Sequence, residues 1–167
     1  VKEYLSNVVI PENNPEERSV TLVAMSMIQH ALALRELEFE KAARLRASLA
    51  GIGGLTEPLL QAMAAKASML QATTEQEFSA SISAIQEAIE QQSNPIRADA
   101  LRLSLVEHTA ERDTIKATEI FASIAEPKAS TSSATLHRLH ARWWTCKAKL
   151  HPKMRRIALR EAITQHR

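Results

Sequence analysis

The chain has 167 residues, enough for one domain with a core of its own, and a single cysteine, which excludes an internal disulfide framework. Three glycines, 4% aromatics, abundant Ala, Leu, Glu, Gln and Arg, and no strand-length alternation of apolar and polar residues exclude a sheet and predict an all-α protein. The formal net charge of +2 conceals a division: residues 1–135 carry 12 Lys+Arg and 18 Asp+Glu, a net of −6, whereas residues 136–167 carry 9 Lys+Arg against Glu161 alone, a net of +8.

Residues 1–13 read as an extended lead-in, with Val8, Val9 and Ile10 ahead of Pro11. Asn14-Pro15-Glu16-Glu17 is a helix start: Asn14 accepts orphan N–H groups, Pro15 suits the first turn and Glu17 completes a capping box. The helix it opens, about 15–34, shows a broad apolar surface at Val20, Val23, Met27, Ile28, Ala31 and Leu34, and is expected to be covered on more than one side. In the second helix, 36–50, Phe39, Ala42, Leu45 and Leu49 share one side, and Glu38, Lys41, Arg44 and Ser48 another. Gly51-Ile52-Gly53-Gly54 is expected to stop it. A phosphate loop there would need a preceding strand and a following Lys-Ser/Thr, and has neither.

Thr56-Glu57-Pro58 opens a third helix with Leu59, Leu60, Met63, Ala67 and Leu70 inward. Thr74 and Glu77 form a capping box ahead of a fourth, through Phe78, Ile82, Ile85 and Ile89. Asn94-Pro95 opens a fifth, through Ala98, Leu101, Leu105 and His108. A break at 110–113 precedes a sixth with Ala117, Ile120, Phe121 and Ile124, closed by Pro127. Residues 128–133 are a Ser/Thr connector. The seventh helix carries a 3-4-3-4 seam of Leu136, Leu139, Trp143, Cys146 and Leu150, and past Pro152 the eighth places Met154, Ile157, Ala158 and Ile163 inward.

Helix-pair starts therefore fall near residues 14, 56, 94 and 132, at intervals of 42, 38 and 38. That is a repeat period, in which one hairpin buries its apolar face only against its neighbours. The pattern resembles tetratricopeptide repeats over about residues 18–127. The resemblance rests on the second helices: Phe39-x-x-Ala42 with Leu49, where Arg46 departs from the family; Phe78-x-x-Ser81-x-x-x-Ile85-x-x-Ala88; and Ala117-x-x-x-Phe121-x-x-Ile124 followed by Pro127. In the first helices, His30, Met69 and Leu105 replace the family's small residue. The resemblance implies antiparallel hairpins stacked as a short right-handed α-solenoid, and a concave, first-helix face that binds peptides or another protein. A compact helical bundle is the alternative. Three hairpins are expected over 14–127, with a basic fourth over 128–167 packing on the same array. Residues 37–46 also resemble the UVR motif of nucleotide-excision-repair subunits, without the acidic residue that usually follows its last arginine.

The basic end is the candidate site. Arg138, Arg142 and Lys149 are expected on the face of the seventh helix away from its seam, and Lys153, Arg156, Arg160 and Arg167 as one stripe of the eighth. Trp144, about 100° round the helix from Trp143, is expected at the surface, where a tryptophan among arginines anchors an interface or stacks on a base. Such a face binds an acidic protein surface, RNA or DNA phosphates, or anionic lipid, or neutralises the chain's own acidic body. His137, His140, Cys146 and His151 do not share a helix face and make no zinc set. The paired glutamates at 36–40 and 75–77 suit helix N-termini better than acid–base catalysis.

The expected function is a non-catalytic protein–protein interaction or scaffold module without cofactors, part of a larger protein or assembly. The alternative is a nucleic-acid-binding, in particular RNA-contacting, component of a large complex. The lone cysteine points to a reducing, cytoplasmic setting, and no apolar run approaches the about 18 residues of a membrane span.

Overall fold

A computed structural model describes residues 15–52, 55–127 and 133–166. Within them the chain is all-α, as its composition predicts: α1 Pro15–Arg35, α2 Phe39–Ile52, α3 Glu57–Gln71, α4 Glu75–Glu90, α5 Pro95–Thr109, α6 Thr114–Ala122, α7 Ala134–Leu150, a 3-10 turn Pro152–Met154, and α8 Arg155–His166. Neighbouring helices pack consecutively: α1 on α2, α2 on α3, α5 on α6, α6 on α7 and α7 on α8, while α5 also meets α7. The first helices of the pairs begin at Pro15, Glu57, Pro95 and Ala134, so the period read from the sequence reappears in the helix starts. No described helix is long and apolar enough to cross a membrane. The lead-in 1–13, the Asn14 cap, Gly53, Gly54 and the connector residues 128–132 lie outside the described residues.

The chain divides into two compact units, Val1–Ala84 and Ile85–Arg167, with the division inside α4. In the first, Ala33 and Leu34 of α1, Ala42 of α2 and Ala67 of α3 form a small core with Phe39, Leu45 and Leu70 at its edge. In the second, Leu103 and Val106 of α5, Ala117 and Phe121 of α6, Ile124, and Leu139, Trp143, Cys146 and Leu150 of α7 form a larger one.

Asn94 and the Thr74–Glu77 pair cap their helices as read from the sequence, and Asp113 and Ser133 add two caps that the sequence reading does not name. Asn94 Oδ1 accepts the Arg97 N–H at 3.1 Å, Asp113 Oδ1 accepts that of Lys116 at 2.9 Å, and Ser133 Oγ that of Leu136 at 3.4 Å. The Glu77 carboxylate accepts the backbone N–H groups of Thr73 and Thr74 at 2.8 and 3.1 Å, and Thr74 Oγ1 accepts the Glu77 N–H at 3.2 Å. This is the reciprocal capping box, and its hydrogen bonds, the one from Thr73 N–H foremost, hold the Glu77 carboxyl below the usual carboxylate range.

One boundary of the second helix differs from expectation. The second helix begins at Phe39 rather than Glu36, because the chain turns at Leu37 with φ of 59°. The Glu38 N–H reaches Ala33 O at 2.8 Å and the Leu37 N–H reaches Leu34 O at 3.2 Å, the bond pair of a Schellman motif with leucine at the left-handed position. Leu37 is 62% exposed, so its side chain returns little burial for that conformation. Leu37→Gly is expected to stabilise the protein by about 0.5–1 kcal/mol, read as a higher urea midpoint at unchanged slope. The same helix ends at Ile52, within the glycine stretch expected to stop it.

The buried faces of α1 and α3 are also set differently. Val20, Met27 and Ile28 are exposed; Leu34 is buried as expected, and His30 and Ala33 are buried with it. In α3 Ala67 is buried as expected, but Ala62, Ala65 and Met69 go inside with it, leaving Leu59, Leu60, Met63 and Leu70 half-buried. Small side chains let helices approach closely, and the larger ones then flank the contact. The three first-helix positions at which the repeat resemblance expects a small residue, His30, Met69 and Leu105, are all buried.

His30 is a titratable group in this core. It is 4% exposed, its Nε2 has no hydrogen-bond partner, and burial, then the charges of Arg46 and Lys66, push its pKa down to about 4. The folded chain therefore holds it neutral while the unfolded chain protonates it below about 6.5. Stability is complete above that value and falls as pH drops from about 6.5 towards 4. With solvent screening of the two charged neighbours, the loss is about 2 kcal/mol. Urea melts at pH 7 and 4.5 should show a drop that His30→Leu reduces by that amount; parallel losses in both proteins would contradict it.

Candidate interaction surface

The seam of α7 makes this end of the molecule rigid. Trp143 is buried beside Phe121, ring centroids 5.1 Å apart, and its indole N–H donates to Ile124 O at 3.2 Å. Cys146 is 1% exposed, with Sγ 3.9 Å from both Leu103 O and Glu107 Oε1. Burial first, and then the Glu107 carboxylate, push its thiol up to about 12, so it stays protonated and unreactive.

The cations predicted to form one surface divide into two groups. Arg142 is half-buried, and its guanidinium clamps the Glu107 carboxylate through Nε–H to Oε1 at 2.7 Å and Nη2 to Oε2, while Nη1 donates to Ala100 O at 3.2 Å. Burial opposes its charge, but the bonds and charge of Glu107 outweigh that and raise its pKa. Lys149 Nζ donates to Glu107 O at 3.0 Å and pairs with Glu111 Oε1 at 3.3 Å. Both therefore tie α7 to α5. Arg138, Lys153, Arg156 and Arg160, by contrast, are exposed, and no ion pair among the described residues reaches them.

Trp144 is half-buried rather than exposed. Its ring stands edge-on to Trp143, centroids 5.2 Å apart at 85°, and Lys147 Nζ lies 4.4 Å from its centroid and 4.6 Å from that of Trp143. The Trp144 Nε1–H lies 3.0 Å from His140 Nε2, which is also 3.1 Å from Glu126 Oε1. A proton on Nε2 serves Glu126, and a bare Nε2 serves Trp144, while the buried Nδ1 has no partner. Among the described residues no three His, Cys, Asp or Glu side chains gather as a metal set.

The eighth helix supplies what the sequence reading missed. Among the residues of α8 whose side chains are described, only Ala158 and Ala162 are buried. Met154, Ile157 and Ile163, expected inward, are 39%, 59% and 57% exposed. The alanine pair at i and i+4 is the face laid on α7, and it turns Leu159 and Ile163 outward beside Arg156 and Arg160. Two grooves result. One, about 310 Å³, is lined by Thr145, Ala148, Lys149, Pro152, Arg155 and Leu159. The other, about 490 Å³, is lined by Arg156, Leu159, Arg160, Ile163 and Thr164. A third cleft of about 450 Å³ has Glu90, Arg102, Lys116 and Glu119 on its walls, whose opposite charges cancel and offer no single field.

Comparison of the chain with protein-family models, with curated proteins and with solved structures finds no match.

Proposed function

We propose that this chain is a non-catalytic protein–protein interaction module whose docking surface is the outer face of α8 with the adjoining end of α7, and whose partner is acidic at the contact. The observation that carries this reading is the division of the cations. Arg142 and Lys149 are spent on Glu107 and Glu111, while Arg156 and Arg160 stand exposed beside Leu159 and Ile163 with no ion pair among the described residues. Unneutralised charge beside apolar surface gives a partner both a steering field and something to bury.

The rival reading, RNA binding, rests on the same basic stripe, with Trp144 as its stacking platform. Its ring is edge-on to Trp143 and carries Lys147 over it, which leaves little of it for a base. That weighs towards protein.

The test is fluorescence anisotropy at low salt with labelled poly-L-glutamate and a labelled single-stranded RNA. Poly-L-glutamate is expected to bind and to lose at least about tenfold when Arg156→Glu and Arg160→Glu are combined, with helicity unchanged. Tighter RNA binding that the same variant abolishes would transfer the surface to nucleic acid. Binding of neither probe would remove the docking surface altogether.

A further inference from the structure

We infer that the corner of α7 and α8 receives an acidic amphipathic helix that places one apolar side chain in each of the two grooves. The inference rests on the docking reading above and names its occupant.

The grooves lie side by side with Leu159 as a wall of each: one is bounded by Pro152, Ala148 and Leu159, the next by Leu159 and Ile163. From Arg155 to Ile163 the helix rises about 12 Å, a little over two turns. A partner helix laid along it therefore meets both grooves with apolar residues at i and i+4 or i+7, the spacing by which helices read one another. The first groove is rimmed by Lys149 and Arg155, the second by Arg156 and Arg160. Glu161, the acid of α8, lies about 100° from Arg160 and next to the buried alanine face, so it does not interrupt this rim. Carboxylates flanking the partner's apolar anchors would meet three arginines that no described acid pairs with.

The arrangement of charge also favours a helix over a membrane. At about 100° per residue, Arg156 and Arg160 occupy the middle of the exposed arc, with Leu159 and Ile163 on one side and Ile157 on the other. A helix that lies in a bilayer surface keeps its apolar residues contiguous and its cations at the margin. Here the continuous apolar line, Ala158 and Ala162, is already used on α7.

Random peptides of about 16 residues, roughly four helical turns, displayed on phage and selected against the whole chain, test the inference. Enrichment of peptides with two apolar residues four or seven apart and Asp or Glu between them is expected. These peptides should lose about tenfold or more on Leu159→Ser, and separately on Arg156→Glu with Arg160→Glu, in variants of unchanged helicity. Acidic peptides without apolar spacing, insensitive to Leu159→Ser, would overturn it while leaving an acidic-partner surface in place. Four other results would overturn it too: no enrichment; apolar peptides indifferent to the charge reversals; self-association that Leu159→Ser abolishes; or retention on phosphatidylserine vesicles or RNA that the charge reversals abolish and no selected peptide displaces.

Discussion

Trp143→Ala is expected to cost about 3–5 kcal/mol, the upper range for emptying a core of an aromatic side chain. Three contributions add at this position. The indole fills the junction of α5, α6 and α7, among Leu103, Phe121, Ile124 and Leu139. Its N–H satisfies Ile124 O at 3.2 Å, a carbonyl just past the end of α6 that would otherwise seek water inside the core. Its ring also lies 5.1 Å from Phe121 and beneath Lys147, contacts worth about 0.5–1.5 kcal/mol beyond area. Trp144→Ala, from a half-buried position one residue away, should cost less than half as much. Urea unfolding gives both values. A second readout is the Cys146 thiol, pushed up to about 12 by burial in the same cluster. It should resist a thiol reagent in the parent chain and react far faster in Trp143→Ala as the cavity admits solvent. Equal costs for the two tryptophans would mean that Trp143 is not the centre of this core.

That core was legible because its residues are large, apolar and regularly spaced. Leu139, Trp143, Cys146 and Leu150 recur at 3-4 intervals, and all four are buried. Thr74 with Glu77, and Asn94, were equally plain as helix starts, since capping is settled within four residues of chain; Ser133, which also caps, reads from sequence only as connector. Where alanine does the packing, the reading failed. A search for large apolar residues put Val20 and Met27 inward in α1, and Ile157 and Ile163 inward in α8. The chain instead buries Ala33 beside Leu34 in α1, and in α8 it buries Ala162 together with Ala158, the one inward residue of that helix that the spacing did place. Hydrophobicity alone ranks isoleucine above alanine, and close helix approach reverses the order. The candidate surface was legible only in part, for a related reason. Helix periodicity shows that Arg142 and Lys149 leave the seam, but not that Glu107 and Glu111 wait for them 35 and 38 residues earlier in the chain. Leu159 escapes notice and Ile163 reads as inward, because the role of each depends on which face of α8 the two alanines claim.

The pairing of Arg142 with Glu107 gives the other large effect, and it separates cations that hold the fold from cations that dock. Arg142→Met is expected to cost about 2–3 kcal/mol. It leaves the Glu107 carboxylate, 29% exposed, without its clamp, and removes the guanidinium's added bond to Ala100 O. Glu107→Met alone should cost a comparable amount by stranding the guanidinium, while the double replacement should recover about 1–2 kcal/mol of the summed loss, the signature of a direct pair. Because the pair is half-buried, added salt should change these values little. Binding to an acidic probe should behave in the opposite sense. Arg142→Met is expected to leave affinity within about twofold, whereas reversing Arg156 and Arg160 should abolish binding at a stability change within about 0.5 kcal/mol. If Arg142→Met weakened binding as much as the reversals did, its guanidinium would have to leave Glu107 when a partner arrives. The coupling measured between Arg142 and Glu107 would then have to fall in the bound state, since a guanidinium shared with a partner's carboxylate cannot keep both of its bonds to Glu107.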